Sequence, residues 1–279
     1  MLWPSTDGER WARQELALLR DARWSPRALL RFVAASQRRA TLTRRSRPAD
    51  ARRAARWMLV GAAAWVIAPS YGRAGCCHRA RAQGLAWWTG CALMLDWHLG
   101  MLETPDGQPV ALGAADALTL ARAWLVPAVA QDAAPALVLI GALSDLADGA
   151  VARRTRTTRL GRDLEGLVDA CFTTAALRRA VRARQISRFP MALELCRLAT
   201  GTACVSWVYF AAGHPPQRAW SAGGRRAAPL RIASLIAADQ GRQRLADRLL
   251  YAATALACIG PVRHVRNGGD RPWPRPDAD

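Results

Sequence analysis

The chain contains no lysine: all 40 of its basic side chains are arginines, set against 21 acidic ones, for a net charge of +19. Codon usage in a GC-rich genome accounts for the bias, and the physical consequence stands regardless. Arginine keeps its charge and grips phosphate in a planar, bidentate fork. Paired cysteine spacing is missing too. Cys76, Cys77, Cys91, Cys171, Cys196, Cys204 and Cys258 form no C-x2-C pair, which argues against a zinc site or a disulfide framework and for small buried hydrophobes. The opening Met1-Leu2-Trp3-Pro4 turns charged at once, so no cleavable signal is expected. Internal repeats and recognised nucleic-acid-binding modules are also lacking. A pI of about 11.4 admits nucleic acid or an anionic membrane as partner. The missing module and the apolar segments favour the membrane.

Half of the chain, 51%, is hydrophobic, and charge and apolar residues occupy separate stretches. Residues 1–56 hold two Arg-rich helical patterns, with Trp11, Leu16, Leu19 and then Leu29, Leu30, Phe32, Val33 at near-helical spacing. Such helices suit either an anionic bilayer surface or a solvated tail. Apolar segments follow at 57–69 and 84–102, then a polar turn over 103–115. Six more apolar segments run at 117–131, 133–148, 161–178, 190–212, 228–240 and 246–262. Several are shorter than the roughly 20 residues of a clean span, as expected where a helix projects beyond a bilayer to carry a polar site. Charge counting does not fix the topology. The arginines of 149–162, 213–231 and the tail belong on one side, yet 178–188 and 241–248 are arginine-rich as well.

Chemistry concentrates in residues 144–169, SDLADGAVARRTRTTRLGRDLEGLVD. Asp145 and Asp148 are three apart, and Glu165 and Asp169 four apart, so a helix puts each pair on one face. Asp163 falls on the far side of its helix. Carboxylates at the ends of apolar helices are costly to bury uncompensated. Hard divalent cations relieve the repulsion and can hold substrate phosphates at the same time. Two such ions can clamp a pyrophosphate. Gly149, Ala152 and Gly161 leave room for a nucleotide against the backbone, and Arg153 is placed to meet a diphosphate. An ion-pair network with the many arginines is the plainer account of each pair taken alone.

These residues resemble the CDP-alcohol phosphotransferase family, whose motif is D-x2-D-G-x2-A-R-x8-G-x3-D-x3-D. Asp145, Asp148, Gly149, Ala152, Arg153, Gly161, Glu165 and Asp169 stand in that order, and seven of the eight match in type. Upstream, Asp116-Ala-Leu-Thr119-Leu-Ala-Arg122 resembles the opening of the family's first helix. The resemblance implies an all-α, polytopic membrane protein. It would have a six-helix catalytic domain over 113–265, one or two extra membrane helices in 57–112, an Arg-rich head at 1–56 and a disordered tail at 266–279.

By the same resemblance Asp145, Asp148, Glu165 and Asp169 would bind two divalent cations, Mg2+ or Mn2+. Asp169 would also be the general base that deprotonates an acceptor alcohol. Gly149, Ala152, Arg153 and Gly161 would line the nucleotide pocket. Arg122, Arg197 and Arg231 are candidates for holding the acceptor. Arg231, in Pro229-Leu-Arg-Ile-Ala-Ser234, resembles a basic position opening the family's fifth helix. Glu194 and Arg197 are three apart and suited to pair with each other. The expected partners are CDP-diacylglycerol or another CDP-alcohol, an acceptor alcohol, membrane lipid and a second copy of the chain, with no nucleic acid. The expected place is the bacterial cell membrane, with the site facing the cytoplasm.

Two departures stand out. The spacer after Arg153 is seven residues, 154–160, and the third aspartate is Glu165. Glutamate reaches roughly 1.3–1.5 Å further, and a misplacement of about 1 Å can cost on the order of 100-fold in rate. A membrane scaffold of the same fold with impaired catalysis is therefore the alternative expectation.

Overall fold

The computed structural model describes residues 7–67, 74–104, 107–131, 136–141, 143–144, 158–207 and 218–266. Among them the chain is helical and contains no strand, as the all-α reading expects. The helices are α1 (Asp7–Asp21), α2 (Pro26–Ser46), α3 (Pro48–Ile67), α4 (Ala74–Trp97), α5 (Ala114–Ala130), α6 (Arg159–Arg182), α7 (Arg188–Trp207), α8 (Arg218–Asp239) and α9 (Gln243–Arg266). Each expected apolar segment overlaps one of these, or for 133–148 the helical residues 136–141 and 143–144. Most of the helices continue into arginine-rich flanks, because Arg and Ala are strong helix formers whether or not they are buried. Arg52, Arg53 and Arg56, for example, precede the apolar half of α3. Among the described residues no helix is long and apolar enough to cross a membrane. The chain divides into two compact units, Met1–Arg179 and Ala180–Asp279.

In the first unit, α1 and α2 form a hairpin whose turn places Arg23 and Trp24 at positive φ, 50° and 56°. Ser25 caps α2 by accepting the Ala28 N–H at 3.4 Å, with Pro26 in the first helical position. Arg39 stacks 4.8 Å above the Trp11 ring and reaches Asp7 at 2.9 Å. Arg47, between α2 and α3, donates to Asp50 at 2.8 Å and to the carbonyls of Leu99 at 3.4 Å and Val110 at 3.3 Å. A short 3-10 helix, Leu99–Met101, ends just ahead of the expected polar turn, within which Gly107 takes φ 79°.

Helices α3 and α4 pack through a reciprocal exchange of tryptophan and glycine. A Cβ on Gly61 would sit 2.3 Å from the Trp88 ring, and one on Gly84 would sit 2.4 Å from Trp65. Each indole thus lies on the bare backbone of the other helix. Trp88 Nε1 donates to the Met58 carbonyl at 2.7 Å. The same seam takes in α5: Trp124 donates to the Gly61 carbonyl at 2.9 Å, Trp87 to that of Ala123 at 2.8 Å, and the Trp65 and Trp124 rings lie 4.8 Å apart. Three of the indoles in the seam thus find a backbone acceptor, whereas the buried Trp65 Nε1 has none among the described residues. Leu95, Leu99, Leu102, Leu112, Leu120 and Leu160 complete the core and carry it from α4 to the start of α6.

In the second unit, α8 and α9 pack closely through alanines, with Ala227, Ala253 and Ala257 buried. Gly241, at φ 73°, makes the turn between them. Ser234 donates to the Ala246 carbonyl at 2.7 Å, and Asp247 of α9 accepts the Ser187 N–H at 2.9 Å and its hydroxyl at 2.6 Å, holding the start of α7.

Candidate functional site

Helix α5 begins at Gly113, whose N–H donates to Asp116 Oδ2 at 2.7 Å. This is the backward half of a capping box, and it satisfies a donor ahead of the helix. Asp116, Thr119 and Arg122 follow one another at three-residue steps and are all buried. A short polar, charged line therefore runs beneath the surface of an otherwise apolar helix.

Helix α6 begins beside it. The Thr158 hydroxyl donates to Asp116 Oδ1 at 2.6 Å and accepts the Gly161 N–H at 2.7 Å. Gly161 leaves no room for a side chain, since a Cβ there would meet Asp116 Oδ1 at 2.3 Å. From the loop before α5, Glu103 takes the Arg159 guanidinium at 3.3 Å, and its carbonyl accepts the Arg159 N–H at 2.9 Å. The start of α6 is thus held by Glu103 and Asp116.

One turn further, Glu165 and Asp169 lie half-buried on α6. Arg122 Nε approaches Asp169 Oδ1 at 3.0 Å, the arginine side chain being 1% exposed and the aspartate 39%. The carboxylate is reachable from solvent and the cation that orients it is not. Glu165 and Asp169 offer hard oxygen donors four residues apart, which suits Mg2+ or Mn2+. Among the described residues no group of three or more His, Cys, Asp or Glu gathers to hold a metal. Asp145, Asp148, Gly149, Ala152 and Arg153 lie outside the described residues.

Of the other candidates, Gly161 lies against Asp116, and Arg122 lies under Asp169. Arg197 and Arg231 come together in the second unit around Glu194. Arg197 donates to Glu194 Oε1 at 2.6 Å and Oε2 at 2.9 Å, Arg231 Nε lies 2.9 Å from Oε1, and Thr254 donates to Oε2 at 2.9 Å. Glu194 is 0% exposed, and the side chains of Arg197 and Arg231 are 17% and 14% exposed. Two arginines share one carboxylate, which leaves the cluster with one net positive charge.

Sequence reasoning missed Thr158 and Thr254, and treated Asp116 only as a polar residue in a helix opening. For Thr158 the signal was there: a threonine just before a helix is a preferred N-cap. Nothing local marks Asp116 as its partner 42 residues away.

A family model for CDP-alcohol phosphatidyltransferase matches residues 112–262. That stretch begins just ahead of α5 and takes in Arg122, the whole acidic motif and the Glu194 cluster. Neither the curated proteins nor the solved structures compared with the chain include a match.

Proposed function

The chain belongs to the CDP-alcohol phosphatidyltransferase family, and from that premise we propose that it moves a phosphatidyl group from CDP-diacylglycerol to an acceptor alcohol in phospholipid synthesis. The family's chemistry is transfer of a phosphoalcohol from a CDP-alcohol, and it is generally divalent-cation dependent. Asp169 carries the reading: a reachable carboxylate in the last motif position, with a buried arginine 3.0 Å beneath it.

Asp169 accepts the proton of the acceptor hydroxyl. The alcohol oxygen forms a bond to the β-phosphorus as the pyrophosphate bond to the nucleotide breaks, and CMP leaves with that electron pair. Arg122, anchored in α5, fixes the orientation of the Asp169 carboxylate through this step. Asp145, Asp148, Glu165 and Asp169 would hold two divalent cations, which when bound neutralise the diphosphate and polarise the phosphorus under attack. Arg153 meets the diphosphate, and Gly149 and Ala152 leave the nucleotide room. Arg197 and Arg231, with their single excess charge, suit an anionic acceptor such as a phosphorylated alcohol.

A membrane location, with the site at the cytoplasmic face, supplies both the donor lipid and an apolar surrounding for the exposed Leu59, Val60, Val66 and Ile67 of α3. The deciding experiment is purified protein with CDP-diacylglycerol, Mg2+ or Mn2+ and a panel of acceptor alcohols, read by CMP formation. Metal-dependent CMP release supports the enzyme. Glu165 in place of aspartate motivates the second reading, a scaffold of the same fold. No release with any acceptor or metal favours that reading.

A further inference from the structure

The shared start of α5 and α6 has the form of a relay. Asp116 is 6% exposed. One of its oxygens takes the Gly113 N–H ahead of α5 at 2.7 Å, and the other takes the Thr158 hydroxyl at 2.6 Å. Thr158 in turn takes the Gly161 N–H inside α6 at 2.7 Å. A single buried carboxylate therefore fixes two helix origins relative to each other. It does so one turn before Glu165, and Arg122, six residues along α5, meets Asp169 on α6. The two contacts set both the offset and the rotation of α6 against α5.

We propose that Asp116 is a positioning residue for the catalytic carboxylates, acting through Thr158, and that Gly161 is glycine because Asp116 occupies the space a side chain would need. This rests on the reading of Glu165 and Asp169 as metal-binding and catalytic groups. It gives Gly161 a different duty from the nucleotide contact that the family motif suggests. A Cβ at 161 would stand 2.3 Å from Asp116 Oδ1 and 2.8 Å from Thr158 Oγ1. Both atoms belong to the relay, so an alanine there disrupts the hydrogen bonds that fix α6. A buried carboxylate in a satisfied network is costly to displace, so α6 moves instead. A misplacement of about 1 Å at Glu165 can cost on the order of 100-fold in rate.

The test is a double-mutant cycle on the full chain, with three readouts: CMP release, the Mg2+ concentration giving half the maximal rate, and the rise in melting temperature on adding Mn2+ without nucleotide. Gly161→Ala alone is expected to lower kcat by about tenfold and raise the Mg2+ requirement, with the KM for the CDP-linked donor little changed. In an Asp116→Ala background the same substitution should cost less than about twofold, because the nearer clashing oxygen is gone and the Thr158 hydroxyl, released from it, can turn away. Thr158→Val should reproduce the Mg2+ shift of Asp116→Ala, while Thr158→Ser, which keeps the hydroxyl, should stay near wild type. An equal effect of Gly161→Ala in both backgrounds, seen mainly in donor KM, would overturn the proposal and return Gly161 to the nucleotide pocket. Variants that merely melt earlier, with Mg2+ and Mn2+ responses unchanged, would overturn it as well. Wild-type protein that neither responds to Mn2+ nor releases CMP sinks the catalytic reading together with this one. Wild-type protein that does both, with an additive cycle, sinks the positioning proposal alone.

Discussion

Two ion-pair centres among the described residues, one in each unit, are built the same way and exposed in opposite senses. In the first unit the arginine is hidden and the carboxylate reachable, 1% for Arg122 against 39% for Asp169. In the second the carboxylate is hidden and the arginines reach outward, 0% for Glu194 against 14% for Arg231 and 17% for Arg197. A buried charge needs a partner, and the partner at the surface is the one free to meet a ligand. The first centre therefore presents negative charge, fit for a cation or a proton, and the second presents positive charge, fit for phosphate. The inner member of each pair orients the outer one.

The sharpest way to break this comparison is to remove an outer member. Asp169→Asn keeps the shape and takes away both the base and the negative charge that faces Arg122. CMP release should fall by on the order of 100-fold to 10,000-fold. A variant near the wild-type rate would end the assignment of Asp169 as base. In the second centre, Arg197→Ala and Arg231→Ala should each be tolerated, because Glu194 keeps the other arginine. Together they strand a fully buried carboxylate with Thr254, and thermal or denaturant unfolding should show a loss of about 3–5 kcal/mol, more than the two single losses added. Strict additivity would mean that the arginines do not share Glu194.

Removing an inner member should do less to stability. Arg122→Met leaves Asp169 able to hydrate, so unfolding should register a loss of about 1–3 kcal/mol, with CMP release down roughly tenfold from lost orientation. A loss matching that of the double arginine variant would erase the asymmetry between the centres. The smallest effect is expected at Glu165. Glu165→Asp should hold or raise turnover, within about threefold, because it restores the shorter reach of the family's pattern while the carboxylate remains. The same CMP assay across a Mg2+ and Mn2+ titration reads it, and a collapse in rate would show that the neighbouring geometry has adapted to glutamate.

Much of the helical content was legible because the apolar segments mark buried faces, and those faces survive in α3 to α9. The helix ends were less legible. The arginine-rich flanks of α3, α8 and α9 are helical for reasons of propensity, which an apolar pattern does not register. The pairing of charges was harder still. With 40 arginines and 21 acids, nearly every carboxylate has several candidate partners, and only spacing on one helix could nominate any. That sufficed for Glu194 with Arg197, three residues apart. It could not find Arg231 for Glu194, Arg122 for Asp169 or Thr158 for Asp116, all of which are joined by the fold. Gly161 was legible as an important glycine, but the crowding that requires it is a property of α5 and α6 together.

The interlocked tryptophans and glycines of α3 and α4 bear on where this protein can be cut. The family match begins at residue 112, yet Trp124 inside it hydrogen-bonds the backbone of Gly61 outside it, and Trp87 outside it hydrogen-bonds Ala123 inside. A fragment trimmed to the matched residues would bare one flank of α5, the helix that carries Asp116 and Arg122, and leave the Trp124 indole without its acceptor. The boundary drawn by kinship is not a seam along which the folded molecule separates, and expression of the isolated catalytic segment should give an insoluble or misassembled product.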